Sequence, residues 1–336
     1  MKIKNLKLKI ITIFLASSFY FLISDIPVAK AQGVDIGIYP PIFQIQAVPP
    51  SNIKLPLIIQ NFQDSSLDLT ISLKPFTASD TENGEITFLD NPEYEDPYLL
   101  QRVRVFFEGV SIDSITLSPK QKRDLVLEFD IPSNEPKGEY YFSIIFSSKA
   151  QDLGTSTFSG ASASVASNVL LSIGPLGKTQ GLIEEFSSPY FVTKGPVPFT
   201  IRVRNTSDHY ITPKGDILIK NMFGQTVGKV NLLGANILSN NIRRIPDSLQ
   251  SGTVSDKDYE KIRLVVEKNK SPVAVWPEKF LLGPYNATLT VSLSDEGPVF
   301  KRKIYFFAIP LEYSLGILAI IAIVAFIIVR VRKRIS

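Results

Sequence analysis

The chain has 336 residues, with 36 Lys and Arg against 32 Asp and Glu and a formal net charge of +4. The surplus sits at the two ends: residues 1–31 and 311–336 hold nine of the basic and two of the acidic side chains, which leaves 27 against 30 between them. A body of about −3 lacks the basic footprint of a nucleic-acid binder, and zero Cys excludes disulfides and thiol chemistry, so stability must come from hydrophobic cores.

Residues 1–31 read as a signal peptide. Lys2, Lys4, Lys7 and Lys9 form a basic n-region and Ile10–Ile23 an apolar h-region, and Pro27 precedes the small-x-small site Ala29-Lys30-Ala31. An uncleaved signal anchor is the alternative, and either sends the following chain across a membrane.

From Gln32 onward the sequence is strand grammar. Short runs rich in Val, Ile, Leu, Phe and Tyr recur every 8–12 residues or so between turn residues. Ile53–Gln60, Leu67–Leu73, Val103–Phe107, Asp124–Phe129 and Tyr140–Phe146 are the clearest in the first half. Phe199–Val203, Asp216–Ile219, Ile262–Val266, Ala287–Leu293 and Lys303–Phe307 follow in the second. In Leu67–Leu73 the apolar residues alternate, which predicts Leu67, Leu69, Ile71 and Leu73 on one buried face. The fold class is therefore all-β, with two tandem immunoglobulin-like β-sandwich domains at 32–177 and 178–309, divided in the Gly- and Pro-containing stretch Gly174–Gly181.

The two halves echo each other. An apolar strand ending in an Asn-led turn occurs at Leu57–Asp64 and again at Ile201–Asp208. A Gly-x-Tyr entry into a late strand occurs at Gly138-Glu139-Tyr140 and at Gly283-Pro284-Tyr285, where a corner tyrosine would tie down the neighbouring loop.

The apolar run Leu311–Val329 holds no charge from Tyr313 onward and reaches roughly 25 Å as a helix. A transmembrane helix is expected over 310–330. Arg330, Arg332, Lys333 and Arg334 then place the tail 331–336 in the cytoplasm and the body outside it.

Catalytic material is scarce. The single His, His209, lies in a polar turn without a G-x-S-x-G elbow, and is expected to pack on Tyr210 or bond a carbonyl. Glu93, Glu95 and Asp96 in the acidic loop Asp90–Pro97, and the adjacent Glu184 and Glu185, are the carboxylate candidates for glycan cleavage. The acidic loop is also a candidate for calcium. Adjacent residues on a strand point to opposite faces, which argues against a Glu184–Glu185 pair. Asp80–Glu85 lacks the acid spacing of a calcium loop, and its Asn83-Gly84 reads as a hairpin turn. Gly154–Ser167 and Leu232–Ser255 are expected as loops. Asn205-Thr206-Ser207 and Asn286-Ala287-Thr288 are chance matches to a glycosylation sequon. No catalytic, cofactor-binding or metal-binding residue is assigned, and no cofactor is expected.

The order of signal peptide, two β-domains and anchor with a short basic tail resembles the WxL-interacting surface proteins of Gram-positive bacteria. So do the Pro49–Asn52 turn leading into an N-x-x-D strand end, and the proline-then-GxYY segment Pro132–Phe146. Asn205–Gly224, with His209, Pro213, Gly215 and Phe223-Gly224, is similar to the second-domain hairpin of related bacterial surface proteins. The resemblance implies a first domain that contacts peptidoglycan and a second that contacts partner or host proteins. The expected function is non-catalytic: a membrane-anchored cell-surface protein that binds cell-wall glycan or other surface proteins. An exported assembly factor that donates a strand edge is the alternative, and a carboxylate glycosidase is a third.

Overall fold

In a computed structural model, residues 35–89, 98–148, 163–247, 271–311, 322–328 and 330 are described. The described part is all-β apart from a 3-10 turn at Tyr98–Arg102 and helical residues near the carboxyl end.

The first half runs through β1 (Ile36–Tyr39), β2 (Ile42–Ala47), β3 (Ser51–Asn61), β4 (Leu67–Ala78), β5 (Ile86–Phe88) and β6 (Val103–Phe107). It continues through β7 (Val110–Ser111), β8 (Ser114–Leu117), β9 (Lys122–Ile131), β10 (Gly138–Ser148) and β11 (Ser164–Ile173). One sheet has the order β1-β3-β9-β6-β7; the other has β2-β11-β10-β4-β5, with β8 also against β4. The chain enters by serving both. β1 pairs antiparallel with β3, and after Pro40 and Pro41 β2 pairs in parallel with β11 on the opposite layer.

Between these sheets lies one apolar core that includes Leu57, Ile59, Leu69, Leu117, Leu127, Phe129, Phe142, Phe146 and Leu171. Burial of each such side chain contributes roughly 1.5–3 kcal/mol. The alternation expected in β4 holds: Leu67 and Leu69 are buried, and Ile71 and Leu73 pack against the same core.

The second half contributes β12 (Gly181–Ser187), β13 (Phe191–Val192), β14 (Val197–Asn205), β15 (Lys214–Lys220) and β16 (Thr226–Asn231). After them come β17 (Ile242–Arg244), β18 (Ala274–Trp276), β19 (Gly283–Ser292) and β20 (Val299–Ala308). Its sheets are β12-β14-β17, with β18 also against β14, and β13-β20-β19-β15-β16. Every second residue of β14 is buried, as period-2 patterning demands. The core is aromatic. Tyr285 stacks on Phe306 with centroids 5.3 Å apart, and Trp276 meets both rings edge-on.

The strand-ending Asn residues do equivalent work. Asn61 donates its amide to the carbonyls of Ser65, Leu117 and Ser118 and accepts from the Gln63 N–H. Asn205 donates to the carbonyls of His209, Ile237 and Leu238 and accepts from the Ser207 N–H. Both are fully buried, and each gathers the backbone groups of its turn around one side-chain amide. The late tyrosines also act alike: Tyr140 donates to Glu135 at 2.8 Å, and Tyr285 accepts from the Leu282 N–H at 3.1 Å, each pinning the loop before its strand.

Asn83-Gly84 lies in the hairpin connection between β4 and β5, which the pairing of Ala78 with Ile86 sets at residues 79–85. Two other expectations are corrected. Ser164–Ser167 belong to β11 and not to a loop, and Ile242–Arg244, within the expected loop Leu232–Ser255, form β17. Short polar stretches hide strands whenever the partner strand, not the apolar pattern, determines pairing.

Leu311 and residues 322–328 are helical. Among the described residues no helix is long and apolar enough to cross a membrane. The expected span at 310–330 lies mostly outside those residues, as do the signal peptide 1–31, the acidic loop Asp90–Pro97 with Glu93, Glu95 and Asp96, and the strand Ile262–Val266.

Candidate functional site

The open face of the β3-β9-β6 layer is the first candidate. Inward residues of these strands are apolar, so strand alternation turns Asn52, Lys54 and Pro56, then Val126, Glu128 and Asp130, then Arg104 and Phe106 toward solvent. The register lines up Lys54, Glu128 and Arg104 across three strands. Asn52 donates to Glu128 at 2.8 Å, and Lys54 stands 3.3 Å from the same carboxylate. The Asn52 hydrogen bond, followed by Lys54, holds the Glu128 carboxyl below its usual value. Asn52, Gln101, Arg102, Arg104, Phe106, Glu128 and Asp130 line a hollow of about 460 Å³ on this face. One rung along, Phe106, Val126 and Pro56 form an apolar row. A charged rung beside an apolar rung suits a polyol with C–H faces, since fixed amides, carboxylates and guanidiniums bond hydroxyl, acetamido and carboxylate groups.

The second candidate is the junction between the sandwiches. Phe76, Leu170 and Leu238 form a small apolar cluster there, with Ile86, Phe88 and Tyr141 packed against it. Around it run polar ties. Glu82, at the tip of loop 79–85, accepts two hydrogen bonds from Arg202 on β14, at 2.6 and 2.7 Å, and its carbonyl accepts from the Arg244 N–H on β17. Lys137 bonds Asp208 at 3.0 Å. Tyr141 donates to Glu139 and accepts from the Ser239 N–H. Burial raises the Glu139 carboxyl above its usual value, and burial together with Glu139 pushes the Tyr210 hydroxyl up to about 12. At Gly84, which has φ +85°, a Cβ would lie 2.1 Å from Arg243 Nη2. Only glycine lets that guanidinium lie against the loop.

His209 is buried beside this junction, where its ring pairs with Asp208 Oδ1 at 2.9 Å and lies 3.3 Å from Thr179 Oγ1. Its partners are thus side chains and not the expected carbonyl, and its other neighbour is a hydroxyl on the chain linking the sandwiches. Glu184 and Glu185 also depart from expectation. A bulge between Ile183 and Glu185 turns both outward while Ile183 and Phe186 stay buried. Glu184 pairs with Arg204; Glu185 accepts from the Ser187 hydroxyl and lies 3.9 Å from Arg202. Side by side but each held by its own partners, they form a structural charge ladder. Asp80–Glu85 forms the docking loop, braced by Thr81 donating to Glu85 at 2.7 Å. Asn205 is fully buried and cannot accept a glycan. Among the described residues, no group of three or more His, Asp or Glu is gathered for a metal ion. The Glu82–Arg202 clamp and half-buried Glu139 carried no pattern in the sequence; both depend on contacts between residues some 70–120 positions apart.

The described residues form two β-sandwiches, the first of which offers an open, polar sheet face. Residues 40–148, which include the Pro49–Asn52 turn and the GxYY segment, match the model of the family described as "WxL Interacting Protein, peptidoglycan binding domain", which shows the family resemblance. No curated protein matches the chain. Among solved structures, the chain is similar to the class 5 fimbriae chaperone CfaA at 12% identity and TM-score 0.36, covering 82% of this chain and 100% of that one. It is also similar to the E. coli chaperone DraB (9%, TM-score 0.35, 80% and 96%), and to the Salmonella enterica SafA pilin–SafB chaperone complex (9%, TM-score 0.36, 81% and 98%).

Proposed function

We propose that this chain is a cell-surface protein that binds the peptidoglycan wall through its first sandwich, without catalysis. The observation that carries this reading is the match of residues 40–148 to a peptidoglycan-binding domain. That segment includes β3, β6 and β9, whose outer face offers Arg104, Glu128 and Asn52 beside Phe106. Guanidinium and amide groups would take the carboxylates and acetamido groups of wall glycan and its peptides, while the apolar rung takes sugar C–H faces. The ties at the junction would hold the second sandwich in a fixed attitude to the first. The uncharged run Tyr313–Val329 and the basic residues after it would tether the body at its carboxyl end, outside the cytoplasm.

The strand-donating assembly factor is less well supported, since the edge strands of the first sandwich are short: four residues in β1, six in β2 and two in β7. Sedimentation of the full-length protein, in detergent, with purified Gram-positive wall sacculi tests the main reading. Retention that is lost after digestion of the glycan supports it, and no retention overturns it.

A further inference from the structure

The end of the second sandwich from which β20 leaves toward the apolar run is ringed by exposed apolar side chains. Tyr190 and Phe191 are 72% and 58% exposed, Met222 and Phe223 55% and 76%, and Phe280 and Leu282 54% and 56%. These residues come from three separate connections, yet the fold gathers them. Phe191 is in register with Phe307, their rings 5.5 Å apart, and the Phe307 N–H bonds the Tyr190 carbonyl. Leu282 precedes Gly283, which pairs with Ala308 at the end of β20. Met222 Cε lies 2.9 Å from where a Cβ on Gly283 would sit, which brings the β15–β16 turn to the same place. Phe223 forms the tip of that turn, held open by Asn221, which accepts from the N–H groups of Phe223 and Gln225.

Lysines stand behind the ring. Lys220 is level with Asn286, which pairs with Tyr305, and Lys303 lies over the Tyr305 ring at 5.0 Å. Exposed aromatics gathered at one end are costly in water and mark a contact surface. Aromatic tips backed by lysines whose stems lie along rings match the chemistry of the bilayer headgroup region.

From Ala308 the chain passes through Pro310 and reaches the uncharged run beginning at Tyr313 within five residues. That short link leaves this end of the sandwich nowhere to be except beside whatever receives the run. We infer that this rim seats the second sandwich on the outer leaflet, with Phe223 and Leu282 entering the headgroup layer. The inference rests on the membrane-anchor reading given above.

The chain has no Cys, so a single Phe223→Cys or Leu282→Cys labelled with a nitrobenzoxadiazole dye reports one site at a time. Val110→Cys, 65% exposed on the first sandwich, is the reference. The full-length protein is placed with vesicles of phosphatidylcholine and phosphatidylglycerol and recovered by flotation. At 223 and 282 the emission should shift to the blue relative to 110, be quenched by lipids brominated near the headgroup, and resist iodide several-fold better. Iodide quenching equal to that at 110 overturns the inference while the anchor stands. Shielding from iodide without quenching by lipid means that protein covers the rim, and also overturns it. Failure of the chain to float with the vesicles removes the anchor reading, and the inference falls with it.

Discussion

Glu82 and Arg202 meet across the junction in a two-point clamp: Arg202 Nε donates to Oε2 at 2.7 Å and Nη2 donates to Oε1 at 2.6 Å. Glu82 sits at φ 58°, a backbone setting that non-glycine residues rarely occupy, so the loop holds a conformation suited to delivering this carboxylate. The clamp ties the loop of the first sandwich to β14 of the second through two charge-assisted hydrogen bonds.

Glu82→Gln removes the charge and one acceptor at nearly constant volume. It should lower stability by about 1–2 kcal/mol at neutral pH. The Arg202 hydrogen bond depresses the Glu82 carboxyl below its ordinary 4.5. A depressed carboxyl gives stability that is present above 4.5 and lost as pH falls through the lower, folded-state value. Urea unfolding curves of the two proteins should therefore be well separated at pH 7 and converge in acid. Curves that coincide at pH 7 would show the clamp to be energetically silent.

Glu139 should behave in the opposite sense. Burial raises its carboxyl, so its favourable contribution is complete below the ordinary 4.5 and is lost as pH rises through the raised value. Glu139→Gln keeps an oxygen for the Tyr141 hydroxyl and the Tyr210 N–H. The variant should be more stable than the parent at pH 7 and equal to it near pH 4. Thermal melts at the two pH values check this, and a variant that is weaker at pH 7 contradicts it.

The buried amides of Asn61 and Asn205 should show matched sensitivity. Asn→Ala at either position removes the side-chain partner of three carbonyls and one N–H, a loss of about 2–4 kcal/mol. Asn→Asp is worse at both, because it aims an anionic oxygen at those carbonyls. Chemical denaturation of the four variants tests whether the two sandwiches use one device, and a large loss at only one site would refute the equivalence.

On the outer face of the first sandwich, Arg104→Ala should weaken retention on purified wall by about tenfold, the size of one charge-assisted hydrogen bond. Phe106→Ala should weaken it without altering its salt dependence, since the ring contributes no charge. Wall-binding isotherms at two ionic strengths separate the two effects. Unchanged isotherms for both variants would move the binding surface elsewhere.

Much of this fold could be read from local pattern. Leu67, Leu69, Ile71 and Leu73 announced their buried face by alternation, and the Asn and Tyr echoes pointed to two related units because each reports a local backbone need. What stayed hidden was set by distant partners. Glu184 and Glu185 share a face only because a bulge shifts the register of β12 against β14, and period-2 counting cannot foresee an inserted residue. Glu82 looked like one more loop acid, and its role appears only once β14, 120 positions away, is folded against it. The sheet face with Arg104 and Glu128 was likewise invisible: each strand shows ordinary polar alternation, and only the lateral register makes a row of them.

The way the chain enters the first sandwich has a consequence for its assembly. Residues 36–39 lie along one layer and residues 42–47 along the other, so a single dozen-residue ribbon sews the opening edges of two sheets. The parallel seam with β11 joins parts of the chain more than a hundred positions apart, so it cannot close until Ser164–Ile173 has been delivered. A protein emerging amino end first would keep this ribbon waiting, its unpaired margins open to neighbours, until the last strand of the unit arrives.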